Sequence, residues 1–241
     1  MRDDVDRILL EQARYYEDRA PEYEDVWYRR GAYDLGPEGN RRWCEETAAL
    51  EAVVDGLDAS GVVLELACGT GIFTRRLAPK ASRLIAIDAA EPALAINRER
   101  FGSTGVEHVH ADLFHWEPPE DVRFDLIFFS FLISHIPPSR FRGFWDRLAH
   151  WLAPQGHVFF CDDAPGVEMR RSNPGRDALD GPAFAHTRQL NDGREYTIVK
   201  VLHEPDELTA SLAELGWQAD VRRSGEEFYY GLATRAPDGD V

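Results

Sequence analysis

The stretch VVLELACGTGIFTRRL, Val62 to Leu77, decides how the rest of the chain is interpreted. It begins as a buried strand, passes through small residues at 67–71 that include Gly69 and Gly71, and continues with helical spacing. Where a glycine has no Cβ, a ligand can approach the backbone at the carboxyl end of the first strand of a parallel sheet. Residues 67–71, here called the glycine turn, therefore predict a ligand site at the head of an α/β sheet.

The chain follows two different patterns on the two sides of residue 60. Residues 1–60 are charged, aromatic and helical in character, which predicts an N-terminal helical cap. In residues 61–241 short apolar strands alternate with amphipathic helices, as in a doubly wound, mostly parallel sheet with helices on both faces. Residues 164–194 are rich in Gly, Pro and Arg and predict an insertion that ends in a hairpin closed at 191–193.

Composition limits the classes of partner. The 241 residues, 44% hydrophobic, suffice for one α/β domain with a full core. A net charge of −16 would repel nucleic-acid phosphates and anionic membrane surfaces. No apolar run approaches the roughly 20 residues of a membrane span, and the N-terminus has no signal-peptide pattern. We expect a cytoplasmic monomer or homodimer that binds neither nucleic acid nor membrane.

The identity of the ligand depends on residues near the glycine turn. Asp88 ends the next predicted strand, where a carboxylate can accept the hydroxyls of a ribose, so an adenosine-bearing ligand is indicated. Thr74 stands where a dinucleotide site has its third glycine, which disfavours a nicotinamide cofactor. Glu65 would repel a pyrophosphate but suits an ammonium group, directly or through water. These details favour S-adenosylmethionine.

Four motifs in order resemble those of the class I S-adenosylmethionine-dependent methyltransferases. They are LELACGTG, with Ala67 where glycine is commoner, then IAIDAAEPAL, HADLFHW and FDLIFFSFLISHIPP. The resemblance begins near Tyr15 and implies a Rossmann-like, seven-stranded sheet that binds S-adenosylmethionine and releases S-adenosylhomocysteine. The donor-binding residues that it implies are Glu65, Ala67, Gly69, Gly71, Asp88, Ala89, Asp112, Leu113 and Ser130.

Within the third and fourth motifs the resemblance implies particular contacts. Asp112 would bond the adenine amino group, and the Leu113 amide would bond an adenine ring nitrogen. Ser130 would lie beside the reactive methyl group. No metal ligand is implied, because Cys44, Cys68 and Cys161 cannot form a metal knuckle and an acidic metal ligand does not follow the fourth motif.

Catalysis would depend on residues near the end of the fourth motif and in the cap. His135 is the candidate general base, because an imidazole with a pKa near 6.5 can take a proton from the acceptor. A histidine here can also simply pack against the next helix. Tyr16 is the first candidate among the cap aromatics to face the sulfonium, and Arg19 is a candidate for the methionine carboxylate.

Three further patterns are interpreted as structural. His108 and His110 share a strand face, with His115 nearby, but no convergent third ligand completes a metal site. The YTIVK run at 196–200 matches the Tyr-x-x-x-Lys pair of short-chain dehydrogenases, yet it predicts a strand that would separate the two side chains by about 13 Å. The two aspartates at 162–163 end the fifth strand and could line the pocket, but they are interpreted as a solvated strand end.

The sequence therefore predicts an enzyme that moves a methyl group from S-adenosylmethionine to an oxygen, nitrogen or carbon atom of a small organic acceptor, such as a natural-product intermediate. It lacks the motifs of the adenine, cytosine and arginine methylases. Two alternatives stay open at this point, a nicotinamide-dependent oxidoreductase and a non-catalytic module that binds S-adenosylmethionine.

Overall fold

The computed structural model describes residues 2–166, 176–177 and 182–236. Its strands are β1 (Val62–Leu66), β2 (Arg83–Asp88), β3 (Glu107–His110), β4 (Phe124–Ser130), β5 (Leu152–Asp163), β6 (Arg176–Asp177), β7 (Ala185–Gln189), β8 (Glu195–Val199), β9 (Trp217–Arg223) and β10 (Phe228–Arg235). Its α-helices are α1 (Arg2–Arg19), α2 (Gly36–Asp55), α3 (Thr74–Leu77), α4 (Glu91–Phe101), α5 (Pro138–Trp151) and α6 (Pro205–Ala213). Short 3₁₀ helices include Ala20–Asp25 and Ile133–His135.

Seven strands form the main sheet in the order β3-β2-β1-β4-β5-β10-β9. All neighbours are parallel except β10, which runs antiparallel to both β5 and β9. The chain order reverses between β1 and β4, and this is the position at which open α/β sheets bind ligands beyond the carboxyl ends of their strands. The predicted doubly wound, mostly parallel sheet is confirmed.

Helices cover both faces of this sheet because its central strands are apolar on both sides. Leu64 and Leu66 of β1 pack into the layer formed with α5 and α6, whereas Val63 packs into the layer formed with α2, α3 and α4. Glu65 lies on the same side as Val63, which places a carboxylate inside an apolar layer. Among the described residues no helix is long and apolar enough to span a bilayer.

Helix α1 packs mainly on a second, three-stranded sheet of order β6-β7-β8. Tyr15 of α1 is buried against Ile198 of β8 and Leu190 of the β7–β8 turn. The hairpin predicted at 191–193 is present, closed by a bond from the Gly193 amide to the Leu190 carbonyl. Much of the predicted insertion, at 167–175 and 178–181, lies outside the described residues.

The helical segment that follows the glycine turn is short. It consists of the four residues of α3, and Gly71, with a φ of +95°, cannot belong to a right-handed helix. Strand β5 begins at Leu152, and its pairing with β4 shifts in register between Phe124 and Leu126.

Candidate functional site

The glycine turn is held in an uncommon backbone conformation. Ala67, Gly69 and Gly71 have φ values of +53°, +52° and +95°. A Cβ on Gly71 would lie 2.6 Å from the Phe101 ring, so this position requires glycine for space as well as for φ. Ala67 adopts the left-handed region despite its Cβ, which identifies local strain beside the predicted ligand site.

Asp88 joins the end of β2 to this turn. Its Oδ2 accepts a hydrogen bond from the Gly69 amide at 2.7 Å, and its Oδ1 accepts one from the Ala90 amide at 2.8 Å. Burial raises the pKa of Asp88, and these backbone bonds oppose that shift. Because a carboxylate oxygen has two lone pairs, each still has one that a ribose hydroxyl can use.

A cavity of about 580 Å³ opens over the carboxyl ends of β1, β2 and β4, and we call it the main cavity. Its size is that of sites for cofactor-sized ligands. Its lining includes every residue that the sequence singled out as a site residue except Arg19, Glu65 and Gly71: Tyr16, Ala67, Gly69, Asp88, Ala89, Asp112, Leu113, Ser130 and His135. Residues that are distant in sequence are thus assembled around one space.

Glu65, beneath the glycine turn, and Gly71, the last residue of that turn, are outside this lining. The Glu65 carboxylate is only 2% exposed and accepts a hydrogen bond from the Thr74 hydroxyl at 2.7 Å. Burial raises the pKa of Glu65 to about 8. The geometry therefore differs from the predicted contact between Glu65 and a ligand ammonium, because the side chain points into the layer of α3 and α4.

One end of the main cavity presents groups that suit an adenine ring. Asp112 accepts hydrogen bonds from its own turn, at 2.9 Å from the Phe114 amide and at 2.6 Å from the His115 ring. Among the hydrogen bonds of the described residues, none uses the Leu113 amide, so this donor is available to a ring nitrogen. The apolar side chains of Leu113 and Phe114 complete a flat pocket.

At the other end of the main cavity, His135 and Tyr16 form a hydrogen-bonded pair. His135 Nδ1 lies 2.6 Å from the Val199 carbonyl, which only accepts, so Nδ1 carries the proton. Nε2 is then an acceptor in the neutral ring, and the Tyr16 hydroxyl lies 2.9 Å from it. Burial and, next, the charge of Lys200 hold the pKa of His135 well below 6.5. His135 is therefore a neutral imidazole near pH 7, with its Nε2 lone pair directed at Tyr16.

A smaller cavity of about 80 Å³, the inner cavity, adjoins this pair. Tyr16, Tyr23 and His135 line both cavities, so they lie where the two spaces meet. The inner cavity has aromatic walls, and its charged lining residues are Arg19, Arg188, Lys200 and Asp163. Lys200 is paired with Asp163 and lies 3.6 Å from Asp162, so the arginines are the other cationic groups of this lining. Arg19 lines only this cavity, which differs from its predicted place near a methionine carboxylate.

Asp162 and Asp163 are buried, so their interpretation as a solvated strand end is wrong. Lys200 is 4% exposed and donates to Asp163 Oδ2 at 2.9 Å and to Ser134 Oγ at 3.0 Å. Asp162 is fully buried and accepts bonds from the Ser134 amide and hydroxyl and from the Asp163 amide. Burial raises the pKa of Asp162, and the charge of Lys200 opposes this. This cluster fixes the 3₁₀ turn that carries His135.

Sequence reasoning missed Arg188 and Lys200 as site residues. Lys200 belongs to the YTIVK run, whose interpretation as a strand is confirmed, because Tyr196 lies on β8 and its hydroxyl bonds Asp18 at the surface. The one available signal was that a lysine follows an apolar strand directly. His108 and His110 have structural partners, the Asn97 amide and the Ala89 carbonyl.

An ionic contact joins the cap to the glycine turn. Glu24 accepts a hydrogen bond from the Thr70 hydroxyl at 2.7 Å and forms an ion pair with Arg100 of α4. Arg100 also donates to the Thr70 carbonyl at 3.0 Å. The adjacent Tyr23 lines both cavities. This contact, which we call the cap latch (Glu24, Thr70 and Arg100), holds the cap over the site.

Comparisons with known proteins agree with this geometry. A model described as a methyltransferase domain matches residues 63–156. The solved structure of a DhpI complex with SAH is 33% identical, covers 96% of this chain and 98% of that chain, and has a TM-score of 0.74. A DhpI complex with SAM and HEP is 34% identical, with the same TM-score, over 94% of this chain and 97% of that one.

Curated relatives match a shorter part of the chain. Phosphoethanolamine N-methyltransferase 1 of Triticum aestivum is 31% identical over 48% of this chain and 24% of its own length. Demethylmenaquinone methyltransferase of Clavibacter sepedonicus is 35% identical over 45% of this chain and 44% of its own length. The match thus spans about a quarter of the first relative and under half of the second.

The fold and the similarity over nearly the whole length of a solved relative define the class. The chain belongs to the class I S-adenosylmethionine-dependent methyltransferases. Within that class it is a small-molecule methyltransferase with S-adenosylmethionine as cofactor and S-adenosylhomocysteine as product. The nicotinamide-dependent alternative is set aside.

Proposed function

We propose that this enzyme methylates a small acceptor with an anionic group at one end and a proton-bearing nucleophile at the other. The observation that carries the proposal is the inner cavity, where two arginine side chains, Arg19 and Arg188, adjoin the Tyr16–His135 pair. Guanidinium groups that line a small aromatic cavity favour an anionic ligand.

The main cavity would hold the donor, and the residues present fit it. Asp88 offers lone pairs to the ribose, Asp112 and the Leu113 amide would bind the adenine, and Ala67, Gly69, Ala89 and Ser130 would shape the wall around it. Glu65 and Gly71 would act indirectly, through the shape of the glycine turn. When bound, S-adenosylmethionine supplies an electrophilic methyl group on a sulfonium. Tyr16 and Tyr23 would present rings to that cation.

Arg19 and Arg188 would bind the anionic end of the acceptor. Arg19 lies over the Tyr15 and Tyr23 rings, which hold its guanidinium at the cavity wall. Arginine suits phosphate and carboxylate groups because it can donate two parallel hydrogen bonds. The named acceptor of the plant relatives, phosphoethanolamine, has a phosphate at one end and an amine at the other, which supports an acceptor of this kind.

The nucleophile of the acceptor would lie at the junction of the cavities, against Tyr16. Burial raises the pKa of Tyr16, so its hydroxyl keeps its proton and donates it to His135 Nε2. As the nucleophile attacks, its proton would pass to the Tyr16 oxygen while the Tyr16 proton passes to His135. The Val199 carbonyl and Asp163 would stabilise the resulting imidazolium. Most of the rate would come from alignment, which is worth effective molarities of about 10⁵–10⁸ M.

A matched acceptor panel tests the proposal. Purified enzyme and methyl-labelled S-adenosylmethionine are incubated with phosphoethanolamine and ethanolamine, and with other small phosphates, phosphonates and carboxylates beside their neutral analogues. We expect kcat/KM to favour anionic members by about 10-fold to 150-fold, since a hydrogen bond to a charged group is worth about 1.5–3 kcal/mol. The variant Arg19→Met should lose most of this preference. Equal transfer to neutral analogues would refute it.

The proposal also covers the cellular location, the oligomeric state and the domain bounds of the enzyme. We infer a cytoplasmic location and a monomeric or homodimeric state, with the cap at 1–60 and the methyltransferase domain at 61–241. The chain's net charge of −16 supports this inference, because it disfavours association with nucleic acids and with anionic membranes. Cell fractionation and light scattering on the purified protein test these two inferences.

A further inference from the structure

A continuous chain of polar side chains runs beneath the glycine turn. Its members come from β1, α3, α4 and β3, in the order Glu65, Thr74, Asn97 and His108. Thr74 and Asn97 are fully buried. Asn97 Nδ2 lies 2.9 Å from Thr74 Oγ1 and 3.3 Å from the Gly69 carbonyl, and Asn97 Oδ1 lies 3.0 Å from His108 Nε2. The chain thus reaches the turn through Asn97.

The donors and acceptors in this chain have only one consistent arrangement. The Gly69 carbonyl only accepts, so the Asn97 atom that faces it is the amide nitrogen, with two N–H donors. Those donors go to Gly69 and to the Thr74 hydroxyl, whose own proton is then donated to Glu65. Asn97 Oδ1 is left to accept, so His108 Nε2 carries a proton. Every member is satisfied, and the chain ends on the Glu65 carboxyl group.

The glycine turn needs support from outside itself. Gly69 and Gly71 have the widest conformational freedom of any residue, so side chains within the turn cannot fix their φ values. Asn97 bonds Gly69 and also lies beside Gly71, where an added Cβ would come within 3.2 Å of the Asn97 Cγ. On its other side, the Gly69 amide donates to Asp88. Residue 69 is therefore held from both sides, by Asn97 at its carbonyl and by Asp88 at its amide.

We propose that Asn97 is a positioning residue for the methyl donor, which acts by holding the Gly69 carbonyl and thereby the shape of the glycine turn. The inference rests on the proposed donor site in the main cavity. Asn97 does not line that cavity, so its effect passes through Gly69 and Asp88. Loss of the Asn97 donors would remove the side-chain bond to the Gly69 carbonyl and leave residue 69 held from one side, by the bond from its amide to Asp88. Donor affinity, and not acceptor affinity, would then fall.

The test measures binding of S-adenosylhomocysteine by titration calorimetry, with unfolding followed by circular dichroism. Asn97→Leu, nearly the same size, removes the donors, and we expect the affinity to fall about tenfold. Thr74→Val removes the hydroxyl without a change of shape and should weaken binding severalfold, whereas Thr74→Ser keeps the hydroxyl and should restore it. Arg98→Lys, an exposed change on the same helix, is the matched control and should bind as the wild type does.

Two results would overturn the inference. One is a folded Asn97→Leu protein that binds within twofold of the wild type. The other, decisive if that variant does not fold, is equal affinity of Thr74→Val and Thr74→Ser. A wild-type protein that binds no S-adenosylhomocysteine would overturn the proposed donor site as well. In contrast, normal wild-type binding with unaffected variants would overturn only the role of Asn97. An unchanged acceptor KM in Thr74→Val would support a role confined to the donor.

Discussion

Replacement of His135 by Asn tests the proposed proton transfer with little change of shape. An Asn amide places an N–H near the position of imidazole Nδ1, so the bond to the Val199 carbonyl, 2.6 Å in the wild type, can be kept. The lone pair at Nε2, which faces Tyr16, is lost. General-base catalysis contributes about 10²–10⁴-fold, so we expect kcat to fall by at least about 100-fold. Donor affinity should not change, because the adenosine-binding residues are untouched.

The same prediction can be tested through the pH dependence of the rate and of the stability. Burial and Lys200 hold the pKa of His135 well below 6.5, so the imidazole stays neutral as the pH falls through 6.5. The rate should therefore be flat from about pH 8 to below 6.5 and should fall only at lower pH. Below pH 6.5 the unfolded state binds a proton that the folded state does not, so stability also falls in that window. In His135→Asn, protonation of residue 135 should no longer contribute to the fall of the rate or to the fall of the stability at low pH.

Tyr16→Phe is the companion variant, since it keeps the ring but removes the hydroxyl between nucleophile and base. If the two residues act in sequence, the double variant should be no slower than His135→Asn alone. The assay is initial-rate transfer of labelled methyl groups between about pH 5 and 8.5, with S-adenosylhomocysteine affinity as the control for folding. A His135→Asn enzyme within twofold of wild-type kcat across that range would refute the proton transfer.

Three further predictions concern the donor side. Asp88→Ala removes a carboxylate that two backbone amides and, by proposal, a ribose share, so calorimetry should show S-adenosylhomocysteine affinity at least about 100-fold lower; a loss below threefold would contradict this. Ala67→Gly relieves a residue at φ +53°, so urea unfolding should show a gain of up to about 1 kcal/mol, and a loss would argue against strain there. Glu24→Gln weakens the cap latch to Thr70 and Arg100; stopped-flow measurements should show product release several times faster, with the difference from wild type shrinking at high salt.

The main sheet and the donor half of the site could be predicted because their signals are local. The central strands β1, β2 and β4 are short apolar runs, and buried parallel strands are recognised by that pattern. Asp88 ends β2 and Asp112 follows two residues after β3, so the topology brings both to the same edge of the sheet. Even in this half the surroundings of Glu65 were not predicted. Its carboxylate bonds Thr74 beneath the glycine turn and does not line the main cavity.

The acceptor half could not be predicted, because it is assembled from distant elements whose contacts leave no periodic signal. Arg19 ends α1, Arg188 lies on β7, and Lys200 follows β8, and only the packing of α1 on the small sheet brings them together. The same packing explains the error at residues 162–163. Two adjacent aspartates are expected in solvent unless a cation reaches them, and Lys200 does so from another sheet.

The proposed donor side and acceptor side of the site come from different parts of the fold. The proposed donor site is formed by residues at the ends of the main-sheet strands, whereas the cationic side chains of the inner cavity come from α1 and the second sheet and its flanking segment. His135 lies where the two meet, bonded to Tyr16 of α1 and to the carbonyl at the end of β8. Substitutions in α1 or the hairpin can therefore change which acceptor is bound while the donor contacts stay intact. They leave the catalytic pair in place only if they preserve the packing that holds Tyr16 against His135.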